Sequence, residues 1–292
     1  MLPRNLPSAL VTFALGLLLF PTAETARAQA SPEAANQQAY ALYLAGDYEK
    51  AATAYETVLK NYPTAAIVPN AQLQLGYTYF FLTEHAKAED ILKKFLDGPP
   101  APPALNQAAR SLLPQVLSAQ ASALEPNAPA RKSGYEAAIK GFTDFLKAFP
   151  QSPETESVVY GRALANFQLG NTSDTIKDLE ANIKAFADSS TIAQSRNLLA
   201  LAYATEGSQE LNKGDDADRD AAFADYNQAI EILQSIIENR ADLTLINDAQ
   251  FQLGEILFNL AAFSDEEKRP PLYDEALTAY RNVLPKDEIV AL

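Results

Sequence analysis

The chain reads as all-α, a solenoid of about six antiparallel helix pairs. Three observations predict it. The heptamer Asn70-Ala71-Gln72-Leu73-Gln74-Leu75-Gly76 returns as Asp248-Ala249-Gln250-Phe251-Gln252-Leu253-Gly254, with five of the seven residues identical. A helix-forming segment repeated in both halves points to copies of one unit. Beyond Ser31, Ala, Leu, Gln, Glu and Lys dominate, all strong helix formers, while β-branched runs are short and period-two alternation is not sustained. Small residues also recur at fixed places along the presumed helices.

The first thirty residues stand apart. Arg4 is followed by an apolar run from Leu6 to Phe20, the length of a signal segment and short for a membrane span. Pro21 breaks it, and Ala28-x-Ala30 fits a cleavage site that makes Ser31 the first mature residue. Residues 1–30 are therefore expected to be a signal peptide and the protein periplasmic or otherwise exported, with an uncleaved anchor as the alternative. The sequence has no cysteine, so the expectation is of a protein that is not a lipoprotein and that gains its stability from burial rather than disulfides.

The first helix pair is expected from Pro32 to Ala45 and from Tyr48 to Tyr62. Gly46-Asp47 forms the turn, where glycine tolerates a left-handed backbone. Tyr48, Ala51, Tyr55, Val58 and Leu59 fall on one face of the second helix, and Pro63 stops it. The next pair repeats these marks with Leu75, Gly76 and Tyr79, then Ala88, Leu92, Phe95 and Leu96. Six first helices are laid out, beginning near Pro32, Pro69, Gln107, Glu156, Ala193 and Asn247. The uneven spacing is assigned to insertions at 125–134, 208–219 and 264–271. Pro114 falls inside the third first helix and predicts a kink.

The register is set by a small residue in mid first helix (Ala39, Gly76, Ala163, Ala200, Gly254) and another early in the second (Ala51, Ala88, Ala138, Ala229, Ala276). Four residues after the latter comes a large apolar one (Tyr55, Leu92, Phe142, Leu233, Tyr280). Antiparallel helices approach closely only where facing side chains are small, and rings fill the space beside the contact. In this the chain resembles the tetratricopeptide repeat (TPR) family over residues 31–285. The resemblance implies a right-handed α-solenoid. Thr175 and Asn182 in the fourth unit depart from the pattern. Asn61-Tyr62-Pro63 followed by Pro69-Asn70-Ala71-Gln72 is similar to the exported bacterial envelope type, which includes the Tol-Pal coordinator and the Bam-complex lipoprotein. The latter needs an N-terminal cysteine and the former carries a heptad coiled coil before its repeats. Neither feature is present, so compartment and repeat type carry over but the specific partner does not.

Chemistry has little to work with. His85 is the only histidine, and it stands where other units carry Tyr48, Tyr135 and Tyr273, so it reads as a packing or capping residue. No cofactor is expected, and Zn, Cu and haem sites lack ligands. No nucleophile elbow or phosphate-binding glycine loop occurs. Asp215, Asp216, Asp218 and Asp220 lack the order of a calcium loop and read as a solvated acidic loop, and Glu266-Glu267-Lys268-Arg269 as a solvated turn. The mature part carries 21 basic and 36 acidic side chains, a net charge of −15. Such a surface repels phosphate backbones and anionic headgroups, so neither nucleic acid nor a membrane surface is an expected partner.

The resemblance implies that first helices line a concave face. Residues pointing into it by spacing are Tyr40, Tyr43, Leu73, Tyr77, Phe80, Tyr160, Leu164, Phe167, Asn197, Leu201, Phe251, Glu255 and Phe258. This aromatic strip suits a protein or peptide partner with apolar side chains. Packing against neighbouring helices accounts for the same rings equally well. The expected function is a non-catalytic protein-binding scaffold of the cell envelope. The alternatives are a structural N-terminal segment of a longer exported repeat protein and a glycan or cell-wall binder. Pro285-Lys286-Asp287-Glu288-Ile289-Val290-Ala291-Leu292 motivates the former, because 286–292 reads as the start of a further helix. Oligomeric state is left open.

Overall fold

The computed structural model describes residues 31–214, 217–239 and 243–285. They form twelve helices: α1 (Pro32–Leu44), α2 (Tyr48–Asn61), α3 (Val68–Phe81), α4 (His85–Leu96), α5 (Pro103–Ser122), α6 (Pro129–Ala148), α7 (Thr155–Gln168), α8 (Thr172–Ala185), α9 (Ile192–Leu211), α10 (Arg219–Asn239), α11 (Leu243–Phe263) and α12 (Arg269–Arg281). Odd helices are first helices and even ones second. Each helix packs on the next in sequence, and each first helix also touches the following first helix, α1 on α3 through α9 on α11. That pattern makes an α-solenoid with the first helices stacked along one side. Signal residues 1–30, Asp215, Asp216 and the expected helix start at 286–292 lie outside the described residues. Among the described residues no helix is long and apolar enough to cross a membrane.

Local chemistry explains the boundaries. Ser31 caps α1, its Oγ accepting the Ala34 N–H at 3.1 Å, and Pro32 takes the first helical position. Three first-to-second turns share one design. Asp47 N bonds Leu42 O, Glu84 N bonds Tyr79 O, and Asn171 N bonds Asn166 O. Each needs a left-handed residue just before the donor, supplied by Gly46 and Gly170 at φ 77° and by Thr83 at φ 59°.

Two first helices begin earlier than the spacing predicts, at Pro103 rather than Gln107 and at Leu243 rather than Asn247. The insertions are partly absorbed into helix, and α5, α6 and α9 run to 20 residues and α10 and α11 to 21. Helix elongation satisfies backbone groups that a long loop would leave to water. Arg269 opens α12 rather than belonging to a solvated turn, and its Nε donates to Ser264 O at 2.8 Å. Pro114 does not end α5. It is buried against Gly141, where an added Cβ would lie 3.0 Å from the proline Cβ.

The small residues do what the register requires. Ala39, Ala51, Ala88, Ala138, Ala163, Ala200 and Ala229 are fully buried. A Cβ on Gly76 would come within 2.8 Å of Leu92, and one on Gly254 within 2.6 Å of the Tyr280 ring. Tyr55, Leu92, Phe142 and Leu233 fill the space beside these contacts. In the fourth unit the polar substitutions are paired. Thr175 Oγ1 donates to Ala163 O at 3.3 Å and to Asn171 O at 3.0 Å, while Asn182 Nδ2 donates to Ser195 Oγ at 3.2 Å and Glu156 O at 3.3 Å. Buried polar groups persist where they find such partners.

Candidate functional site: the first-helix face

The aromatic strip begins as a cluster of touching rings. Tyr40 and Tyr43 stack at 6.1 Å, Tyr43 meets Tyr48 at 5.6 Å and Phe81 at 6.0 Å, and Tyr48 stacks on Phe81 at 5.1 Å. Phe80 lies 5.9 Å from His85. The sequence-predicted Tyr40, Tyr43, Tyr77 and Phe80 are all half-buried. Burial first, then the neighbouring Tyr48 and Tyr40 hydroxyls, push the Tyr43 phenol up to about 12. Tyr77 is raised as well, by burial and then by Glu154. Both hydroxyls stay neutral at any physiological pH.

His85 has a packing role. Tyr43 on Tyr48, Phe80 on His85 and Phe258 on Tyr273 are one contact repeated in three units, joining the end of a first helix to the start of its second. Burial lowers the His85 pKa, which keeps the ring neutral and apolar. Among the described residues no group of three or more His, Asp or Glu is arranged to hold a metal ion.

Leu73 is corrected from partner-facing to core: it is only 2% exposed. Its register position lies between successive first helices, as Asn36 shows by donating from Nδ2 to Asn70 Oδ1 at 3.1 Å across the α1–α3 contact. Tyr160, Leu164 and Phe167 on α7 are half-buried, as are Asn197 and Leu201 on α9. Phe251, at the Leu73 position of the sixth unit, is 51% exposed, and Phe258 is 52% exposed, with Glu255 open between them. The structure therefore brings the predicted residues onto one side of the stack but divides them. Rings on α1 and α3 are closed over by one another, and those on α11 are open.

Glu154 escapes sequence reasoning because it precedes α7 and carries no periodic signature. Burial raises its carboxyl above the usual range, opposed by a hydrogen bond from Ser111, and it sits close enough to Tyr77 to perturb that phenol. Arg162 was equally hidden. Its guanidinium grips Asp178 at two points, 2.8 and 2.6 Å, and fastens α7 to α8.

Residues 119–283 match the family model described as an outer membrane lipoprotein, YfiO, and residues 37–65 match a tetratricopeptide repeat model. No curated protein matches the chain. Among solved structures, a thermophilic TPR protein of Thermus thermophilus is 20% identical, over 75% of this chain and 97% of its own, with a TM-score of 0.50. A MamA protein is 19% identical over 72% and 95%, also at 0.50. A putative kinesin light chain from Podospora anserina with nearly identical TPR-like repeats is 12% identical over 74% and 96%, again at 0.50. At these identities the likeness is one of fold. The family models together cover the first repeat and more than half of the chain, and they agree with a helix-pair stack built on small-residue contacts. The chain belongs to the tetratricopeptide repeat proteins, within the outer membrane lipoprotein family YfiO.

Proposed function

We propose that the protein is a non-catalytic scaffold of the bacterial cell envelope that binds a protein partner through its first-helix face. One observation carries the reading. The side of the stack lined by first helices carries a ring at one register position in four units, Tyr43, Phe80, Phe167 and Phe258, and a second ring three residues earlier in two of them, Tyr40 and Tyr77. Rings repeated along a rigid stack offer area at low entropic cost to an apolar segment laid across several units. The TPR fold is in general a protein-binding fold, which supports this use. An envelope location is supported by the leader-like residues 1–30 and by the family match. The mature chain is taken to start at Ser31 and, lacking cysteine, to carry no N-terminal lipid.

The binding test is a pull-down from envelope extract with the wild-type chain and with Tyr40→Ala/Tyr77→Ala/Phe251→Ala, both checked by circular dichroism. The expected result is loss of the bound proteins from a variant that remains helical. An unchanged set of partners from the folded variant sinks the groove assignment. Intact mass of the exported protein tests the leader, and a species starting elsewhere than Ser31 removes the cleavage reading.

A further inference from the structure

The first-helix side of the stack is short of positive charge. Its six helices carry Arg110, Arg162 and Arg196 as their basic residues. Arg162 is committed to Asp178, and Arg110 donates from Nε to Asn106 Oδ1 of its own helix at 2.8 Å. Every lysine within the twelve helices lies on a second helix.

One carboxylate on this side is left without a counter-charge. Glu154 stands immediately before α7 and is half-buried. Its Oε2 is enclosed and has no hydrogen-bond partner among the described residues, and the same holds for Oγ1 of the adjoining Thr155. The carboxyl is fixed by Ser111 on α5, whose hydroxyl donates to it. Ser111 is buried, and Gln115 Nε2 donates to its Oγ at 3.4 Å and to its carbonyl at 3.0 Å, which leaves the serine proton for Glu154. Tyr77 of α3 lies close enough for the carboxylate to perturb its phenol. Three successive units therefore contribute to one spot: a ring from α3, a hydroxyl from α5 and a carboxylate from the entry to α7.

This carboxylate is costly as it stands. Burial disfavours its charge, and one hydroxyl bond offsets only part of that. A cation recovers the cost twice, by pairing with the carboxylate and by its attraction to the tyrosine ring. Of the two side-chain cations, a guanidinium suits the spot better than an ammonium. It is more weakly hydrated, stacks on rings and offers several donors to the two unpartnered oxygens. The net charge of −14 on the full chain also draws a basic segment towards the protein.

We propose that the apolar segment bound by the first-helix face carries an arginine, and that its guanidinium pairs with Glu154 beside the Tyr77 ring. This rests on the groove reading above and adds to it the charge of the partner.

The test titrates the exported protein with the tripeptide leucine–arginine–leucine, blocked at both ends, and with the same peptide carrying citrulline, the neutral isostere of arginine. Tyrosine ring resonances follow binding. The arginine peptide is expected to bind about tenfold more tightly, the scale of a desolvated cation–π contact with a charge-assisted hydrogen bond. Glu154→Gln, equal in size and neutral, should abolish that preference and leave the citrulline affinity unchanged. A preference that survives Glu154→Gln overturns the proposal, and so does a lysine peptide that binds as tightly as the arginine one. Equal affinity for the arginine and citrulline peptides, both lost in Tyr77→Ala, overturns the arginine assignment and leaves the groove reading standing. Binding of neither peptide overturns the assignment too, and the groove reading is then judged by the pull-down. If Glu154→Gln does not fold, Tyr77→Leu must lower the arginine preference instead, and an unchanged preference there overturns the proposal.

Discussion

The hydroxyl of Tyr203 donates to Oε1 of Glu180 at 2.6 Å, and Tyr79 makes the same bond to Glu56 at the same separation of 23 residues. In both cases a second helix is tied to the first helix of the next unit, so the bond belongs to the repeat interface. Phenol to carboxylate is a charge-assisted bond, stronger than a neutral one. Replacing either tyrosine by phenylalanine keeps the ring and deletes the bond. Tyr203→Phe is expected to cost about 0.5–1 kcal/mol, with a larger loss for Tyr79→Phe, whose ring is buried. Burial, then the Glu180 bond, raises the Tyr203 pKa above its ordinary value. A raised folded-state pKa means that the contribution is complete below pH 10 and lost as pH rises through the folded value. Thermal melts of wild type and Tyr203→Phe should therefore converge above pH 10, and a constant gap across that range would contradict the bond's role.

Thr83 occupies the turn position that Gly46 and Gly170 hold in other units, with φ 59°. A β-branched residue there is strained, whereas glycine enters the left-handed region freely. The turn hydrogen bond from Glu84 N to Tyr79 O is the same as in the glycine turns, so the backbone has no need to change. Thr83→Gly should raise stability by roughly 1 kcal/mol, the strain relieved less the added entropy of the unfolded chain. A melt that shifts downward counts against strain at this residue.

Gly207 reverses the usual expectation for glycine in a helix. Gly→Ala in a helix interior ordinarily gains about 0.5–1 kcal/mol. Here an added Cβ would lie 2.8 Å from the carbonyl oxygen of Ala222 on α10. That oxygen is backbone and cannot rotate away, so α9 and α10 must separate. Gly207→Ala is expected to destabilise by about 1–3 kcal/mol, read as a lower urea midpoint. A neutral or stabilising result would show that the two helices part cheaply.

The helix pairs were legible in the sequence because their rule is steric and local. Small residues such as Ala51 and Ala88 recur at one register position, and nothing larger fits there. Exposure of the strip was not legible, since Leu73 and Phe251 hold one register position and differ in whether another first helix follows among the described residues. The start of α6 and the end of α9 were not legible as helix, because the 125–134 and 208–219 segments carry breaker-like composition. Packing of Gly134 against Ala121, and of Gly207 against Ala222 and Asp225, holds these stretches in helix. Glu154 and the Arg162–Asp178 grip depend on which loops and faces meet, and no period records that.

The polar departures of the fourth unit supply the last test. Asn182 stands where an apolar residue is usual, and its Nδ2 donates to Ser195 Oγ in the next unit's first helix, both side chains being buried. Removing one partner strands the other, which costs about 1–3 kcal/mol. Ser195→Ala leaves the Asn182 amide its bond to Glu156 O at 3.3 Å, so the loss should fall near the lower end. Asn182→Leu inserts the usual apolar residue but faces an unpaired serine hydroxyl, and should fall near the upper end. In the double variant Asn182→Leu/Ser195→Ala no hydroxyl is stranded and the contact becomes apolar throughout. Its loss should be smaller than the two single losses added, by about 0.5–2 kcal/mol of coupling. Additive losses would mean that the two residues contribute separately and that the pairing does not explain the departure.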